Sequence, residues 1–468
     1  MHPSRSLPLH RHLLVMSALA LAASGCAVGP DYQRPSAAAP AAYKEANGWV
    51  TAAPADTLDR GSWWTLFDDP ALNELAARVE VSNQNVAAAS AAYDQARAQV
   101  REQRAALFPT VALNGGVTRS DSGTSDAQNK YQLGIGASWE PDVWGRLRRA
   151  ADGANANAQA SAADLAAAKL SAQGELAANY FSLRQTDAQK TLLENTIAAY
   201  QRTLQITQNR YAASIAAKTD VLQAQTQLAN AQAEELGLIR QRAQFEHAIA
   251  ILTGRAPGDF SLTVAPWKAV VPEVPVGVPS TLLQRRPDIA SAERHVASAN
   301  DQIGVATAAF YPSLNLGASD GFTSNRVADL FKASSNAWSV GLSAAQTIFN
   351  AGATRARVAG AEAAREEAVA RYRQTVLGAF QDVENQLSAT QVLLKQQALR
   401  QQASQAADEA EVQVLNRYRS GQIGYADVVS AQVTALNARR ALVQMMADRQ
   451  TTAVALIQSL GGGWREAQ

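Results

Sequence analysis

The chain alternates between long polar stretches with helical spacing and two short regions where the hydrophobic period drops to two. In the first region Val111, Leu113, Gly115 and Val117 point one way and Thr110, Ala112, Asn114, Gly116 and Thr118 the other. After a polar loop, Tyr131, Leu133, Ile135, Ala137 and Trp139 alternate with Gln132, Gly134, Gly136 and Ser138. This predicts a hairpin over 109–140 with one apolar face, and Tyr131 and Trp139 bracket its apolar band as interfacial aromatics do. The second region repeats the device over 312–346. Leu314, Leu316, Ala318 and Phe322 alternate with Ser313, Asn315, Gly317 and Ser319, and Trp338, Val340, Leu342 and Ala344 with Ser339, Gly341 and Ser343. A soluble hairpin packed on a core would show the same pattern.

The stretches between lack proline, which predicts long helices: Pro70 to Phe108, Val143 to Tyr211, Asp220 to Leu252, Ala353 to Tyr418 and Asp427 to Leu460. Leu222, Ala229 and Leu236 recur every seven residues, as do Val429, Leu436 and Val443, which predicts coiled-coil seams on those positions. The chain is also doubled. Asn209, Arg210, Tyr211, Asp220, Val221 and Gln225 return in register as Asn416, Arg417, Tyr418, Asp427, Val428 and Gln432. Each copy reads as a helix, a tight break at Ser214 or Gly421, and an acid opening a returning helix, where a carboxylate suits the positive end of the dipole. The expected organisation is a first repeat over 69–254, a proline-rich linker over 255–280, a second repeat over 281–460 and a tail over 461–468. Arg286-Pro287-Asp288 opens the second repeat, with Asp288 as a helix-start residue. A 26–68 segment rich in Ala and Pro leads in as an extended tether.

Four strands cannot lie in a bilayer as an open sheet, because unpaired backbone groups facing lipid cost several kcal/mol each. Bacterial barrels begin at about eight strands, so other copies must complete the cylinder; two or three copies both satisfy the count.

Composition narrows the function. Lys plus Arg number 42 against 41 Asp plus Glu, a net charge of +1, which leaves no basic footprint for nucleic acid. At the start, Arg5 and Arg11 precede the apolar run Leu13 to Ala23 and the small residues before Cys26. Such a run of about 11 residues is too short to span a bilayer and fits a signal peptide over 1–25. Cys26 is the only cysteine, so the chain holds no internal disulfide. Its place after Ala23-Ser24-Gly25 resembles a lipobox and predicts a lipid-anchored first residue, covalently acylated, at the outer membrane. His247 and His295 are the histidines left beyond the signal, a poor inventory for catalysis or metal binding, so no enzyme activity and no cofactor beyond that lipid are expected.

Cys26 through Tyr32, Trp63-Trp64 with Phe67 and Asp69-Pro70, Phe108-Pro109, Arg286-Pro287-Asp288-Ile289 and the two Asn-Arg-Tyr tips together resemble the TolC-like outer-membrane factors, nearest the lipoprotein branch of OprM and NodT type. The resemblance covers essentially the whole mature chain. It implies a mainly α chain with a small β part, assembled as a homotrimer. A twelve-stranded transmembrane β-barrel would continue into a twelve-helix periplasmic tunnel. It further implies an efflux exit duct that takes drugs or other small molecules from an inner-membrane pump, RND type above all, through a periplasmic adaptor. A duct for type I protein secretion would share the architecture, and a lipid-anchored coiled-coil scaffold without a pore is the reading from another class.

By the same resemblance the helical tips form a periplasmic gate. Tyr418 matches the gating tyrosine and Asp220 its carboxylate partner, with Arg417, Arg210 and Tyr211 as further tip residues. Asp427 matches the first acidic position of the constricting ring, while Ser430 stands at the second. Replacing the proposed anchor, Cys26→Ser, should abolish metabolic labelling with palmitate while leaving the barrel able to insert; persistent labelling would refute the site.

Overall fold

A computed structural model describes residues 27–37, 39–45, 60–121, 127–274 and 285–463. Cys26 and the expected signal peptide lie outside them. The element order is α1 (Pro70–Ser82), α2 (Gln84–Ala105), β1 (Thr110–Ser120), β2 (Gln128–Trp139), α3 (Arg146–Ala212), α4 (Lys218–Leu252), α5 (Pro287–Ala308), β3 (Ser313–Ser324), β4 (Asn336–Ala345), α6 (Ala353–Arg419) and α7 (Tyr425–Ser459). Helices α3 and α6 are each 67 residues long, about 100 Å at 1.5 Å per residue. Both returning helices are 35 residues long, so the doubling read in the sequence extends to element lengths. Contacts divide the chain into two units that cut across the repeats.

The first unit, among the described residues 27–36, 92–162 and 291–373, holds one antiparallel sheet in the order β1-β2-β3-β4. Val111 faces Ala137 and Leu113 faces Ile135; Leu133 faces Phe322; Leu316 faces Leu342 and Ala318 faces Val340. The two hairpins therefore align their apolar faces into one. That face is not covered: Leu113 is 72% and Trp338 73% exposed, and Val111, Val117, Val340 and Leu342 stand equally open. The opposite face is built from Ser, Thr, Asn, Gln, Gly and Ala, with Lys130 its one ionisable residue within the strand bounds. No further strand pairs with the outer edges of β1 and β4 among the described residues.

The predicted tether is not loose in this unit. Val28 N–H donates to Trp144 O at 3.0 Å, Asn300 Nδ2 to Pro30 O at 2.9 Å, and Tyr32 Oη to Glu293. Gly29 has φ +100° and sits so close to Gly304 that a Cβ would come within 2.5 Å of its Cα, so no side chain fits at this crossing. The arginines after the first hairpin are held by carboxylates. Arg146 pairs with Glu140 at 2.8 Å, Arg148 with Asp142 at 3.3 Å, and Arg149 with Asp301 and Asp31 at 3.0 and 3.3 Å.

The second unit, 37–91, 163–290 and 374–468 where described, corrects the single helix expected from Pro70 to Phe108. Asp69 caps α1 by accepting from Ala71 and Leu72 N–H, with Pro70 in the first turn. The helix then stops at Asn83, whose backbone is extended at φ −70°, ψ 125°. Its Oδ1 accepts from Asn85 and Val86 N–H at 2.9 and 3.1 Å, capping α2, and its Nδ2 donates to Leu252 O at 2.9 Å. Trp63, Trp64 and Phe67 are buried as their aromatic character requires, Phe67 against Phe181 at 4.9 Å.

The residues of the proline-rich segment that are described are docked. Arg184 donates to Thr263 O at 2.8 Å, Arg242 to Leu262 O at 2.5 Å, and Gln450 holds Trp267 Nε1, Lys268 O and Val270 O. Those two arginines share Asp187, and Arg184 also reaches the Tyr180 hydroxyl, which donates to Asp69 at 2.7 Å. Arg286 forks onto Asp288 at 3.0 and 2.7 Å, and Asp288 sits in the first turn of α5, as expected.

The expected seam is displaced. Leu222 and Leu236 are 51% and 67% exposed, whereas Ala224, Ala231 and Leu238, also seven apart, are buried. On α7 the expected stripe is only partly inside: Leu436 is buried, Val429 and Val443 half-buried.

Asn83→Ala removes two capping bonds and strands a buried carbonyl, so unfolding free energy should fall by about 1–3 kcal/mol. Asn83→Ser, which keeps a capping oxygen and loses the amide donor, should cost less, read from denaturation midpoints of the purified assembly.

Candidate functional site at the helical tips

The two turns joining α3 to α4 and α6 to α7 lie in the second unit and are built alike. Ser214 has φ +60° and Gly421 φ +77°, the left-handed residue that ends a helix. In the first turn Ser214 N–H donates to Tyr211 O at 2.8 Å and Ile215 N–H to Arg210 O at 2.8 Å. In the second, Gly421 N–H donates to Tyr418 O and Gln422 N–H to Arg417 O, both at 2.9 Å. These paired bonds are the Schellman arrangement, which satisfies carbonyls a helix end would otherwise leave unpaired. Both returning helices start two residues earlier than the acids suggested, at Lys218 and Tyr425, with no side-chain cap. Asp220 and Asp427 thus sit in the first turn, where they act on the dipole by charge rather than as caps.

The side chains differ where the backbones agree. Tyr418 is 2% exposed and packs with Ala224, Tyr425 and Val428, its ring edge-on to Tyr425 at 5.5 Å. Its repeat counterpart Tyr211 is 47% exposed. The Tyr418 hydroxyl lies 3.2 Å from Thr207 Oγ1. Thr207 already gives its proton to Thr203 O at 2.9 Å, so the tyrosine is the donor.

Arg210 reaches across from the first tip to the second. Its Nη1 donates to Tyr418 O at 2.9 Å and Arg419 O at 3.2 Å, and its guanidinium lies 4.8 Å from the centre of the Tyr418 ring. A cation on the last carbonyls of α6 is favoured by the helix dipole as well as by hydrogen bonding. Arg417, the repeat counterpart, is exposed, as is Asp427; Asp220 is half-buried. Asp220 is not a hydrogen-bond partner of Tyr418 within the chain; the hydroxyl's partner is Thr207.

Thr207 and Tyr425 were not among the residues expected here. Their counterparts are Val414 and Lys218, so a search for residues shared between repeats passes over both. Higher on the hairpins, Arg440 on α7 pairs with Glu234 on α4, and Arg439 with Asp408 and Glu411 at 2.6 and 2.7 Å.

The sequence profile described as "Outer membrane efflux protein" matches residues 75–255 and 278–462. The chain belongs to that family. As an outer membrane efflux protein it is a transport channel and not an enzyme. Named relatives include the "Probable efflux pump outer membrane protein TtgC" of Pseudomonas putida, 30% identical over 97% of this chain and 96% of its own length. The "Cation efflux system protein CusC" of Escherichia coli is 29% identical over 96% of this chain and 98% of its own. Among solved structures, the outer-membrane channel OprN matches with a TM-score of 0.87 at 31% identity, covering 94% of this chain and all of its own. Among the described residues no cluster of His, Cys, Asp and Glu is able to hold a metal ion.

Burial, reinforced by Tyr418, Tyr200 and Asp220, pushes the Tyr425 hydroxyl up to about 12. A raised value means the folded tip favours the neutral phenol. That contribution is complete below the ordinary tyrosine value of about 10 and is lost as pH rises from there through about 12. Tyr32, Tyr43, Tyr180 and Tyr200 are raised by burial as well, so Tyr425→Phe should take one phenol from the late part of a spectrophotometric titration, and thermal stability should fall less steeply across that window in the variant than in the parent.

Proposed function

We propose that this efflux channel is a passive exit duct closed by three copies of the chain and gated at its helical tips. The observation that supports it is the sheet: four antiparallel strands, one face apolar and uncovered, with two unpaired outer edges. In lipid those edges must be paired, and three copies supply twelve strands around a lumen faced by the Gly, Ser, Thr and Asn side. The lipid on Cys26 would tether the assembly to the outer membrane. The long helical hairpins extend into the periplasm, where the tips meet an adaptor that couples to an inner-membrane transporter, RND type by the family resemblance.

Those relatives are named for toluene, solvent, antibiotic and cation efflux, which favours small cargo over the protein cargo of a type I secretion duct. The duct performs no chemistry, and its energy comes from the transporter.

In the resting state the second tip is held by the Tyr418 hydroxyl on Thr207 and by Arg210 on the α6 carbonyls. Asp220 lies close enough to Tyr425 to raise its pKa and to bias the same cluster, and Asp427 with Arg417 provides the exposed charges that line the mouth. Arg210→Ala removes two hydrogen bonds and a ring contact at once. In planar bilayers it should raise single-channel conductance severalfold, more than the pair Tyr418→Phe with Asp220→Ala, and should sensitise cells to bulky antibiotics. Unchanged conductance in correctly assembled variants would remove these residues from the gate; no conductance in any variant would sink the duct itself.

A further inference from the structure

Within the strands, the apolar face of the sheet carries two ionisable residues, Arg119 on β1 and Asp320 on β3, and both are exposed. Asp320 accepts from Asn336 Nδ2 at 3.0 Å, and Arg119 has no carboxylate partner among the described residues. On a face open to lipid an isolated charge is costly, and such groups pair with one another. Inside one chain these two do not meet. Asp320 stands opposite Ile135 and Trp338, and Ile135 opposite Leu113. The level of Asp320 therefore crosses β1 at Leu113, about 20 Å along the strand from Arg119, and leaves the sheet at the β4 edge through Trp338.

A neighbouring copy changes this. Registers of β4 against the neighbour's β1 that keep apolar side chains on one face differ in steps of two residues, because a slip of one exchanges the faces. Setting Arg119 of the neighbour opposite Trp338 carries the level from Leu113 to a point six residues further along β1, hence eighteen around three copies. Rise and spacing then tilt twelve strands by about 45°, at the upper end of the range for membrane barrels. Two residues further gives about 55°, outside it, and two residues less gives about 35°.

Side chains separate the two permitted tilts. With Trp338 opposite Arg119, Val340 meets Val117 and Gly341 meets Gly116. Glycine against glycine is how the internal joint is made: Gly134 faces Gly321, and a Cβ on Gly321 would come within 2.6 Å of Gly134 Cα. A Cβ on Gly116 or Gly341 would meet nothing within 4 Å in the chain itself, so neither glycine answers a neighbour it already has. The flatter register sets Gly341 against Asn114 and Arg119 against Asn336, two residues off the level of Asp320.

We propose that β4 of one copy pairs with β1 of the next with Trp338 opposite Arg119, so that the guanidinium lies on the indole and faces Asp320 beyond it. The proposal rests on the reading that copies of this chain close one barrel. A cation directly opposite an aromatic ring is attracted to it, and Trp338 is 73% exposed within its own chain. Asp320 is one strand spacing further, about 5 Å. The two charges of the lipid-facing surface thus reach one level only across the joint between copies.

The test oxidises cysteine pairs in the full-length protein in its membrane and reads covalent trimers on non-reducing gels. Val117 and Val340 of one chain lie three strand spacings apart, about 14 Å, beyond the reach of a disulfide, so a bond between these positions joins two copies. V340C/V117C should cross-link fivefold or more above V340C/G115C and L342C/V117C, which are opposite in the registers two residues to either side. Single-cysteine variants account for bonds to Cys26. If V340C/V117C fails to assemble, S339C/T118C, opposite in the same register on the polar face, is compared with S339C/G116C and S339C/S120C. R119A should lower the temperature at which the assembly dissociates in detergent, and D320A should add little to that loss. Stronger cross-linking of an offset pair, no cross-link from any pair in an assembly that stays oligomeric, or fully additive losses would overturn the register. A protein that assembles and cross-links elsewhere loses only this inference, whereas one that stays single in detergent loses the duct as well.

Discussion

Backbone hydrogen bonding is the constraint from which the other features follow. A strand edge in hydrocarbon has no water to satisfy its N–H and C=O groups, and this chain makes four strands with two such edges. An even number of antiparallel strands leaves β1 and β4 running in opposite directions. The free edge of one copy is then suited to pair antiparallel with the free edge of the next, and repetition returns to the start. The sheet is incomplete by construction, and its incompleteness prescribes the proposed assembly. Curvature is provided for as well. Gly134 faces Gly321 at the joint between hairpins, and a Cβ on Gly321 would come within 2.6 Å of Gly134 Cα, so the polar side can close in there only without side chains.

The doubled sequence makes two equal helical hairpins, and small departures from equality turn one pair of tips into a device. Ser214 and Gly421 stop their helices by the same bonds, although serine in a left-handed conformation is less favourable than glycine. Around that common frame, Tyr418 is buried where Tyr211 is open, and Arg210 holds carbonyls where Arg417 faces solvent. Thr207 accepts the Tyr418 proton at a place where the other repeat has Val414, which has no acceptor to offer. Repetition supplies the scaffold. The asymmetric positions supply a contact that is made in one repeat only.

Strands and tips were legible in the sequence because each leaves a periodic or repeated mark. Val111, Leu113 and Val117 alternate, and Asn-Arg-Tyr recurs. What the sequence hid was of three physical kinds. Asn83 reads as one more polar residue in a proline-free stretch, and only the distant Leu252 carbonyl explains why its helix breaks there. Docking of the 27–37 segment and of residues 262–270 depends in large part on main-chain groups, which any sequence would carry. The seam was misassigned by two residues because leucine is the more obvious hydrophobe. The buried stripe uses Ala224 and Ala231, whose small side chains let helices approach closely, while Leu222 and Leu236 stay outside.

That last displacement bears on assembly. A solvated helical hairpin has no reason to keep Leu222, Ala229 and Leu236 in a seven-residue repeat on its open side. Full burial of one such side chain is worth about 1.5–3 kcal/mol, so the two open leucines of α4 are a substantial unspent attraction. Within one chain the helical unit has already filled its own seam with Ala224, Ala231 and Leu238. The outer stripe is then a second seam awaiting another helix, as the β1 and β4 edges await another strand. Apolar burial drives one of these and backbone pairing the other, and the two arguments are independent. Neighbouring copies of the same chain would meet both, so the forces that would close the barrel and those that would close the tunnel ask for one assembly.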